Sequence, residues 1–227
     1  MVDDDMDRCE SRAVLELMAE EVAHAIYNPL SELKGFASML SRRLHNDPDR
    51  DYIEHVVGAT KNIEAVVNGF LRYAKPLSLN LSSIKTHRFL DICFKHHPRV
   101  QLERGCYETS LDLKIDVLQM SLAVTNLIAS LNLHTPTHQT LHVSVPPDPR
   151  VSSPGGIWRL SIANPSTINC DDCADALLFE PFYTVQKTGA GLSLAVAHRI
   201  IEAHHGSLRV QIYDAVPGKF IVELPSA

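Results

Sequence analysis

His24, in the segment VAHAIYNPL, has the residue type and the surroundings of a nucleophile. In a helix, residues three, four and seven positions apart share one face. The residues on that face of His24 are polar: Glu20, Glu21, Asn28 and Ser31. The pattern predicts an exposed imidazole with Asn28 one turn further along, which suits a group that must meet two partners in succession. Taken alone, however, a surface histidine is more often only a solvated side chain.

A proline follows His24 closely. Pro29 has no N–H to donate to the carbonyl of Ala25, so we expect the helix to bend or loosen beside the histidine. A pliable turn of this kind would help the imidazole to reach a partner.

The segment GAGLSL is a second candidate for chemistry. Gly189 and Gly191 precede a helix predicted to begin near Leu192, where free N–H groups and the helix dipole favour an anion. A plain helix-entry loop has the same pattern. Together with the preceding FEPFYT, Phe179 to Thr184, the segment resembles the nucleotide side of sensor histidine kinase cores, which implies a phosphate-binding loop or its remnant.

Other chemically suggestive spacings are interpreted as structural. Cys170 and Cys173 have C-x-x-C spacing but no second pair nearby to complete a zinc site. His96–His97 and His204–His205 are adjacent pairs, and adjacent residues in a helix do not face one ligand together. Trp158 is predicted to lie in the core.

Two amphipathic helices are predicted to carry His24. Apolar residues recur at spacings of three and four, and the residues Asn46 to Arg50 form a turn between the two stripes. A lone hairpin cannot cover both stripes, so we expect a homodimer that forms a four-helix bundle. The stripes are Leu15, Met18, Val22, Ile26, Leu30, Leu33, Phe36, Leu40 and Leu44, then Ile53, Val56, Val57, Ile63, Val66, Val67, Phe70 and Leu71.

After Lys75-Pro76 the pattern changes to short β-rich runs separated by helices, which predicts an α/β sandwich with a mixed sheet. The fold class is therefore α+β, with domains at residues 1–76 and 77–227. The predicted strands are 141–145, 158–163, 207–213 and 220–224, the helices Asp116 to Leu133 and Leu192 to Ala203, and the hairpin tip 146–156.

Composition limits the class of partner and compartment. The net charge of −6 gives no broad basic surface, which argues against nucleic acid. No apolar run reaches the roughly 20 residues that span a bilayer, and the acidic start MVDDDMDRCE lacks the apolar core of a signal peptide. Five scattered cysteines favour a reducing compartment, so we expect a cytoplasmic location.

Five segments resemble the catalytic core of sensor histidine kinases, in the same order and at a similar spacing. The resemblance is to the soluble nitrogen-regulation type of these kinases. The segments are VAHAIYNPLSELKGFASML, TNLIASLNLHT, FEPFYT, GAGLSL and HHGSLRV, within a resemblance that extends from about Leu15 to Pro225. The resemblance implies that His24 accepts a phosphoryl group and that the partner is a response-regulator receiver domain. It also implies that residues 1–76 form the dimerisation and phosphotransfer domain and residues 77–227 an ATP-binding-type domain.

The chain departs from that family beside its histidine. The family has an acidic residue directly after the phosphoacceptor, thought to help deprotonate it, and this chain has Ala25. The asparagine position that the family associates with dephosphorylating its partner is kept as Asn28.

Further departures lie on the nucleotide side. Asn126 matches the first of two family asparagines, but Ser130, a weaker Mg²⁺ ligand, replaces the second. Three residues later the family often has a lysine, and this chain has Leu133 at that position. Ser193 and Gln186 stand where the family often has a glycine and a lid lysine.

The segment IANPSTI lacks the family's adenine-binding aspartate and its two glycines. Asn164 could offer its carbonyl oxygen to the base, while Pro165, Ser166 and Thr167 follow it. Proline stiffens a turn that glycine would have left adaptable.

These departures predict weak or absent ATP-driven autophosphorylation, with ATP and Mg²⁺ kept only as candidate ligands at Asn126, Ser130, Asn164, Gly189 and Gly191. The leading hypothesis is a relay that exchanges a phosphoryl group between His24 and a receiver aspartate, with an upstream kinase as a further candidate partner. The alternatives are an ATP-dependent autokinase with an atypical site and a non-catalytic pseudokinase dimer.

Overall fold

The computed structural model describes residues 2–43, 49–107, 111–146, 156–165, 176–179, 191–213 and 216–226. The chain divides into two compact units, Met1–Pro76 and Leu77–Ala227. Within the described ranges, no helix combines the length and apolarity needed to cross a bilayer.

Two helices make up the first unit: α1, Val2–Arg43, and α2, Asp49–Ala74. α1 begins well before Leu15, where the predicted stripe starts. Residues 2–14 contain neither proline nor glycine, and the aspartates at the start favour a helix N-terminus. α1 continues through Pro29 as one helix. Of the predicted turn, residues 46–48 lie outside the described residues, and Asp49 and Arg50 begin α2.

The two helices contact each other through small side chains. The buried residues recur at a spacing of four or seven, as in a coiled-coil seam. They are Ala19, Ala23, Leu30 and Ala37 on α1, and Thr60, Val67 and Ala74 on α2. Two ion pairs connect α1 to α2 and the residue after it, Lys34–Glu64 at 2.9 Å and Glu20–Lys75 at 3.2 Å.

Large apolar side chains of the hairpin are exposed instead. Phe36 has 64% of its surface accessible. Apart from Met39, each of these side chains lies one position before a buried residue or before a half-buried residue at the same helical spacing. Because the helices of a hairpin are antiparallel, both exposed stripes then face the same side of it. The exposed residues are Val22, Leu33, Phe36, Met39 and Leu40 on α1, and Tyr52, Val56, Ile63 and Val66 on α2.

The second unit contains three described α-helices and seven strands. The helices are α3 (Thr86–Phe94), α4 (Val117–His134) and α5 (Gly191–Ala203). The strands are β1 (Ser82–Lys85), β2 (Val100–Leu102), β3 (Asp112–Ile115), β4 (Leu141–Ser144), β5 (Ile157–Ala163), β6 (Ser207–Tyr213) and β7 (Val216–Pro225).

The strands form two sheets. β1 and β3 pair antiparallel, and the larger sheet has the order β2-β4-β5-β7-β6. Only the β2–β4 pair of this sheet is parallel, so the sheet is mixed, as predicted. α4 packs on α5 and on β7, and alternate residues of the strands face this core. The largest buried core side chains include Trp158, Phe89 and Phe220.

The predicted helical hairpin followed by an α/β domain is therefore confirmed. The four predicted strands and both predicted helices of the second unit are present with bounds shifted by a few residues. Strands β1 to β3 and helix α3 were not predicted, because each is short: the strands have three or four residues, and the alternation of β3 covers only four positions. Residues 147–155 of the predicted hairpin tip lie outside the described residues, although β4 and β5 on either side do pair antiparallel.

Candidate functional site

His24 and Asn28 lie one turn apart on α1, and both are exposed. Ala23, directly before the histidine, is buried against α2. Apart from Met39, the exposed apolar side chains lie one position before a buried or half-buried residue, whereas His24 lies one position after Ala23. The imidazole therefore lies on the side of the hairpin opposite the exposed apolar stripes. Ala25 leaves no acidic side chain directly after the histidine.

An ion pair flanks the histidine. Glu20, one turn before His24 on the same face, accepts a 3.2 Å contact from the Lys75 ammonium. The backbone N–H of Lys75 donates to the carbonyl of Leu71 at 3.0 Å, which continues the helical hydrogen-bond pattern into this residue directly after α2. Sequence reasoning missed the pair, because the two residues are far apart in the chain and neither belongs to a motif.

A groove of about 550 Å³ lies between α1 and α2, on the same side as His24 and nearer the turn. Its lining includes Ser38 and Arg42 from α1, and Glu54, Gly58 and Lys61 from α2. Ser38 and Lys61 directly follow the buried Ala37 and Thr60. Arg42, Glu54 and Gly58 directly follow half-buried residues at the same helical spacing, so the groove and the imidazole share one side of the hairpin. Its charged rim and small floor suit a protein surface better than an apolar small molecule.

On α4 the predicted nucleotide residues differ in exposure. Asn126 is half-buried, whereas Ser130 has only 2% of its surface accessible. Leu133, at the position where the family resemblance implies a lysine, is 59% exposed. A buried hydroxyl and an exposed leucine provide neither an open Mg²⁺ ligand nor a cation for phosphate.

The remaining predicted nucleotide residues are only partly within the described residues. Asn164 is 6% exposed, and its N–H donates to the carbonyl of Gly218 at 2.8 Å. Gly191 is the first residue of α5, one residue before the predicted start. Phe179, which opens FEPFYT, stacks on His198 of α5 with ring centroids 4.7 Å apart. Outside the described residues lie Ser166, Thr167, Cys170, Cys173, Glu180 to Thr184, Gln186 and Gly189.

Asp116 connects three elements of the second unit. Its carboxylate accepts the N–H of Gln119 at 3.0 Å, as the N-cap of α4, and the N–H of Asn80 at 2.9 Å. Its own N–H donates to Nε2 of His204 at 2.9 Å. The other ring nitrogen of His204 lies 2.7 Å from the carbonyl of Ile200. A neutral ring with its proton on Nδ1 satisfies both contacts.

The His204–His205–Gly206 segment is a turn between α5 and β6, which agrees with a structural interpretation of the histidine pair. His205 has a φ of 58°, and a Cβ on Gly206 would lie 2.5 Å from the carbonyl oxygen of Glu223. Trp158 is buried, as predicted for a core residue. The role of His204 in holding Asp116 has no local sequence signal, because 88 positions separate the two residues.

Removing the Asp116 carboxylate should destabilise the second unit. Asp116→Ala loses the cap of α4 and leaves the N–H of Asn80 unpaired, so we expect the free energy of unfolding to fall by about 1–3 kcal/mol. Urea titration followed by fluorescence of Trp158, the single tryptophan, reports on this unit. Asp112→Ala, which removes only an exposed partner of Lys85, should change it by less than about 0.5 kcal/mol.

The pH dependence of that difference has a fixed sign. Burial acts to raise the pKa of the Asp116 carboxyl, but the N–H groups of Gln119, Asn80 and Leu118 outweigh it, so the pKa is lowered. The stabilisation is therefore complete above the unfolded pKa of about 3.9 and is lost as the pH falls through the folded value. If the difference in free energy of unfolding between wild type and Asp116→Ala widened below pH 4, the charged Asp116 carboxylate would not be the stabilising group.

Comparison with known proteins agrees with this layout. Residues 14–78 match the family described as the His Kinase A (phospho-acceptor) domain. The sensor histidine kinase ZraS of Escherichia coli K12 is 25% identical over 232 residues, covering 99% of this chain and 48% of that protein. Sporulation kinase B of Bacillus subtilis is 27% identical, covering 88% of this chain and 47% of that protein. The chain spans about half the length of these curated relatives.

Solved structures show the same fold. The crystal structure of full-length ShkA in complex with AMPPNP superposes with a TM-score of 0.65 at 17% identity, covering 94% of this chain and 46% of that one. The Acinetobacter baumannii histidine kinase AdeS gives a TM-score of 0.54 at 17% identity, covering 89% of this chain and 97% of that one.

The fold and the matched segment define the class of this chain as that of histidine kinase homologues. More particularly, the chain contains a histidine kinase catalytic core, with a His Kinase A phospho-acceptor domain at residues 14–78 followed by an α/β domain.

Proposed function

We propose that this chain is a phosphorelay protein that carries a phosphoryl group on His24 and exchanges it with the aspartate of a response-regulator receiver domain. In this proposal residues 1–76 are the dimerisation and phosphotransfer domain, and residues 77–227 are a degenerate ATP-binding-type domain. The observation that carries it is the pairing of an exposed His24–Asn28 face with a nucleotide side on which Ser130 is buried. The chain has the means to hold a phosphoryl group and lacks part of the means to take one from ATP.

For phosphoryl transfer the chain needs mainly to position the His24 ring against the receiver. An unprotonated ring nitrogen of His24 attacks the phosphorus of the receiver's aspartyl phosphate, and the bond from phosphorus to the carboxylate oxygen breaks. The carboxylate leaves with the electron pair, and the ring releases the proton on its other nitrogen to solvent. The receiver contributes the Mg²⁺ that neutralises the phosphoryl oxygens, so this chain needs only to present the ring. Asn28 lies where its amide can contact the docked receiver or its phosphoryl group.

The groove between α1 and α2 supports this docking mode. It opens on the same side of the hairpin as His24, so a receiver seated there could present its aspartate to the imidazole. Arg42, Glu54 and Lys61 on its rim offer charges of both signs, which set register and partner choice more than affinity.

The exposed apolar stripes support a homodimer. They lie on one side of the hairpin, opposite His24, so a second copy can cover them without covering the imidazole. Two hairpins packed in this way make a four-helix bundle. We place this dimer in the cytoplasm, as the scattered cysteines indicate.

The relatives favour a second candidate function, an ATP-dependent autokinase. ZraS and the E. coli protein AtoS, 24% identical and covering 97% of this chain, are both named as histidine kinases. An autokinase requires an ATP site that tolerates the buried Ser130, the exposed Leu133 and the Asn164–Pro165 segment.

The source of the phosphoryl group separates the two functions. We would incubate the purified chain with γ-labelled ATP and Mg²⁺, and separately with receiver domains phosphorylated by labelled acetyl phosphate that is removed before mixing. The relay predicts acid-labile label on the His24 peptide from a receiver and at least about a hundredfold less from ATP in the same time, a loss typical of a missing phosphate-stabilising group. Rapid labelling from ATP would establish the autokinase and refute the relay.

A further inference from the structure

A cation is fixed next to the phosphoacceptor by the fold and by no local motif. Lys75 directly follows α2, and its ammonium lies 3.2 Å from Oε1 of Glu20. Glu20 is four residues before His24, and side chains at that spacing are neighbours on a helix, with Cβ atoms about 5–6 Å apart. Lys75 follows the buried Ala74 by one residue, as Glu20 follows Ala19 and His24 follows Ala23. All three side chains thus lie on one side of the hairpin.

The charge balance on this face changes when His24 carries a phosphoryl group. In the unmodified chain the Lys75 ammonium neutralises Glu20, while Glu21 adds a further negative charge. A phosphoryl group adds about two negative charges one turn from both carboxylates. Both partners of the ion pair are about half exposed, so the lysine can move without breaking a packed core.

Resting on the proposed function, we propose that Lys75 is the electrostatic partner of phosphohistidine 24 and that Glu20 is its holding site in the unmodified chain. On phosphorylation the ammonium moves from the Glu20 carboxylate towards the phosphoryl oxygens. It thereby stabilises the modified state and prolongs its lifetime.

The chemistry of phosphohistidine predicts in which direction each neighbouring charge changes the rate of its hydrolysis. Hydrolysis requires water to attack the phosphorus while the bond from phosphorus to nitrogen breaks and the ring nitrogen leaves protonated. A nearby ammonium disfavours the protonated ring and so slows this loss, whereas a nearby carboxylate favours the protonated ring and speeds it. Lys75 and Glu20 should therefore act in opposite directions, although they form one ion pair.

The test uses the full chain and a small phosphoryl donor. A ring nitrogen attacks the phosphorus of phosphoramidate, its bond from phosphorus to nitrogen breaks, and ammonia leaves with the proton that the ring releases. After removal of the donor, mass spectrometry follows the half-life of the phosphorylated His24 peptide, with His24→Ala as the blank. We expect Lys75→Met to shorten this half-life about threefold and Glu20→Gln to lengthen it about twofold, the range that exposed charge pairs produce. Lys75→Arg should keep the wild-type value.

The hairpin offers a matched control. Lys34 forms an ion pair with Glu64 at 2.9 Å between the same two helices, but lies about 15 Å from His24 along the axis at about 1.5 Å per residue. That separation exceeds the Debye length of about 8 Å at physiological salt. Lys34→Met should leave the half-life unchanged, and 1 M salt should remove most of the effect of Lys75→Met.

Opposite signs for Lys75→Met and Glu20→Gln support the proposal. The same sign for both would show that only the integrity of the ion pair matters, and an equal effect of Lys34→Met would show a general effect on the hairpin; either overturns it. If Lys75→Met fails to fold, Glu20→Gln still tests the sign. Because phosphoramidate needs no receiver, a chain that it labels but that no phosphorylated receiver labels would refute the proposed function without deciding the role of Lys75.

Discussion

Replacing His24 with alanine is expected to reduce label transfer from a phosphorylated receiver to background, a loss of at least about a thousandfold. No other atom on that face of α1 is a nucleophile of this kind, because its neighbours are Glu20, Glu21, Asn28 and Ser31. The fold should be unaffected, since His24 is exposed and alanine is the strongest helix former. The measurement is acid-labile label on the chain, with helicity followed by circular dichroism.

His55→Ala is the matched control for that experiment. His55 is an exposed histidine on α2 of the same hairpin, and its loss should leave transfer at the wild-type rate. In the cell, the relay predicts that His24→Ala stops signalling. A pathway that keeps its full output with His24→Ala would instead favour the non-catalytic pseudokinase, which regulates its partner by contact.

A charge in the exposed apolar stripe is expected to dissociate the dimer. Phe36→Asp places a carboxylate in the surface that a second copy would cover, and two-fold symmetry brings two such carboxylates into one interface. Each buried, unpaired charge costs at least the penalty of an unpaired polar group, so we expect dimerisation to weaken by two orders of magnitude or more. Light scattering should then report the 25.2 kDa of one chain in place of twice that mass.

The control adds the same charge elsewhere on the hairpin. Asn62 is exposed on α2 and belongs to neither the buried nor the exposed stripe, so Asn62→Asp should remain dimeric. A wild-type chain that is monomeric at micromolar concentration would refute the bundle. Equal dissociation by both substitutions would point to general charge repulsion instead of a defined interface.

The sequence identified each helix of the hairpin but not which neighbour covers which face. It gave α1 a single apolar stripe that contains both Leu30 and Phe36. The structure separates them, because Leu30 packs against α2 with alanines on either side, whereas Phe36 is 64% exposed. The periodicity of large apolar residues locates the apolar face of a helix. Alanine contributes little to that pattern, although its small side chain permits the closest approach of two helices.

On the nucleotide side, too, the sequence located a helix but not which of its side chains are buried. Matching motifs placed Asn126 and Ser130 four residues apart on one helix, and α4 confirms that helix. That Ser130 is buried and Leu133 exposed depends on how α4 packs against its neighbours, which no local pattern encodes.

By itself the sequence determined the α+β class, the helical hairpin with His24 on its polar face, and the order of the later helices and strands. These follow from short-range rules: the period of a helix, the alternation of a strand, and breaks at proline and glycine. Only the tertiary structure brought Lys75 to Glu20 beside His24 and the ring of His204 to the N–H of Asp116. Both contacts join residues far apart in the chain, so they exist only once packing has fixed which helix end meets which.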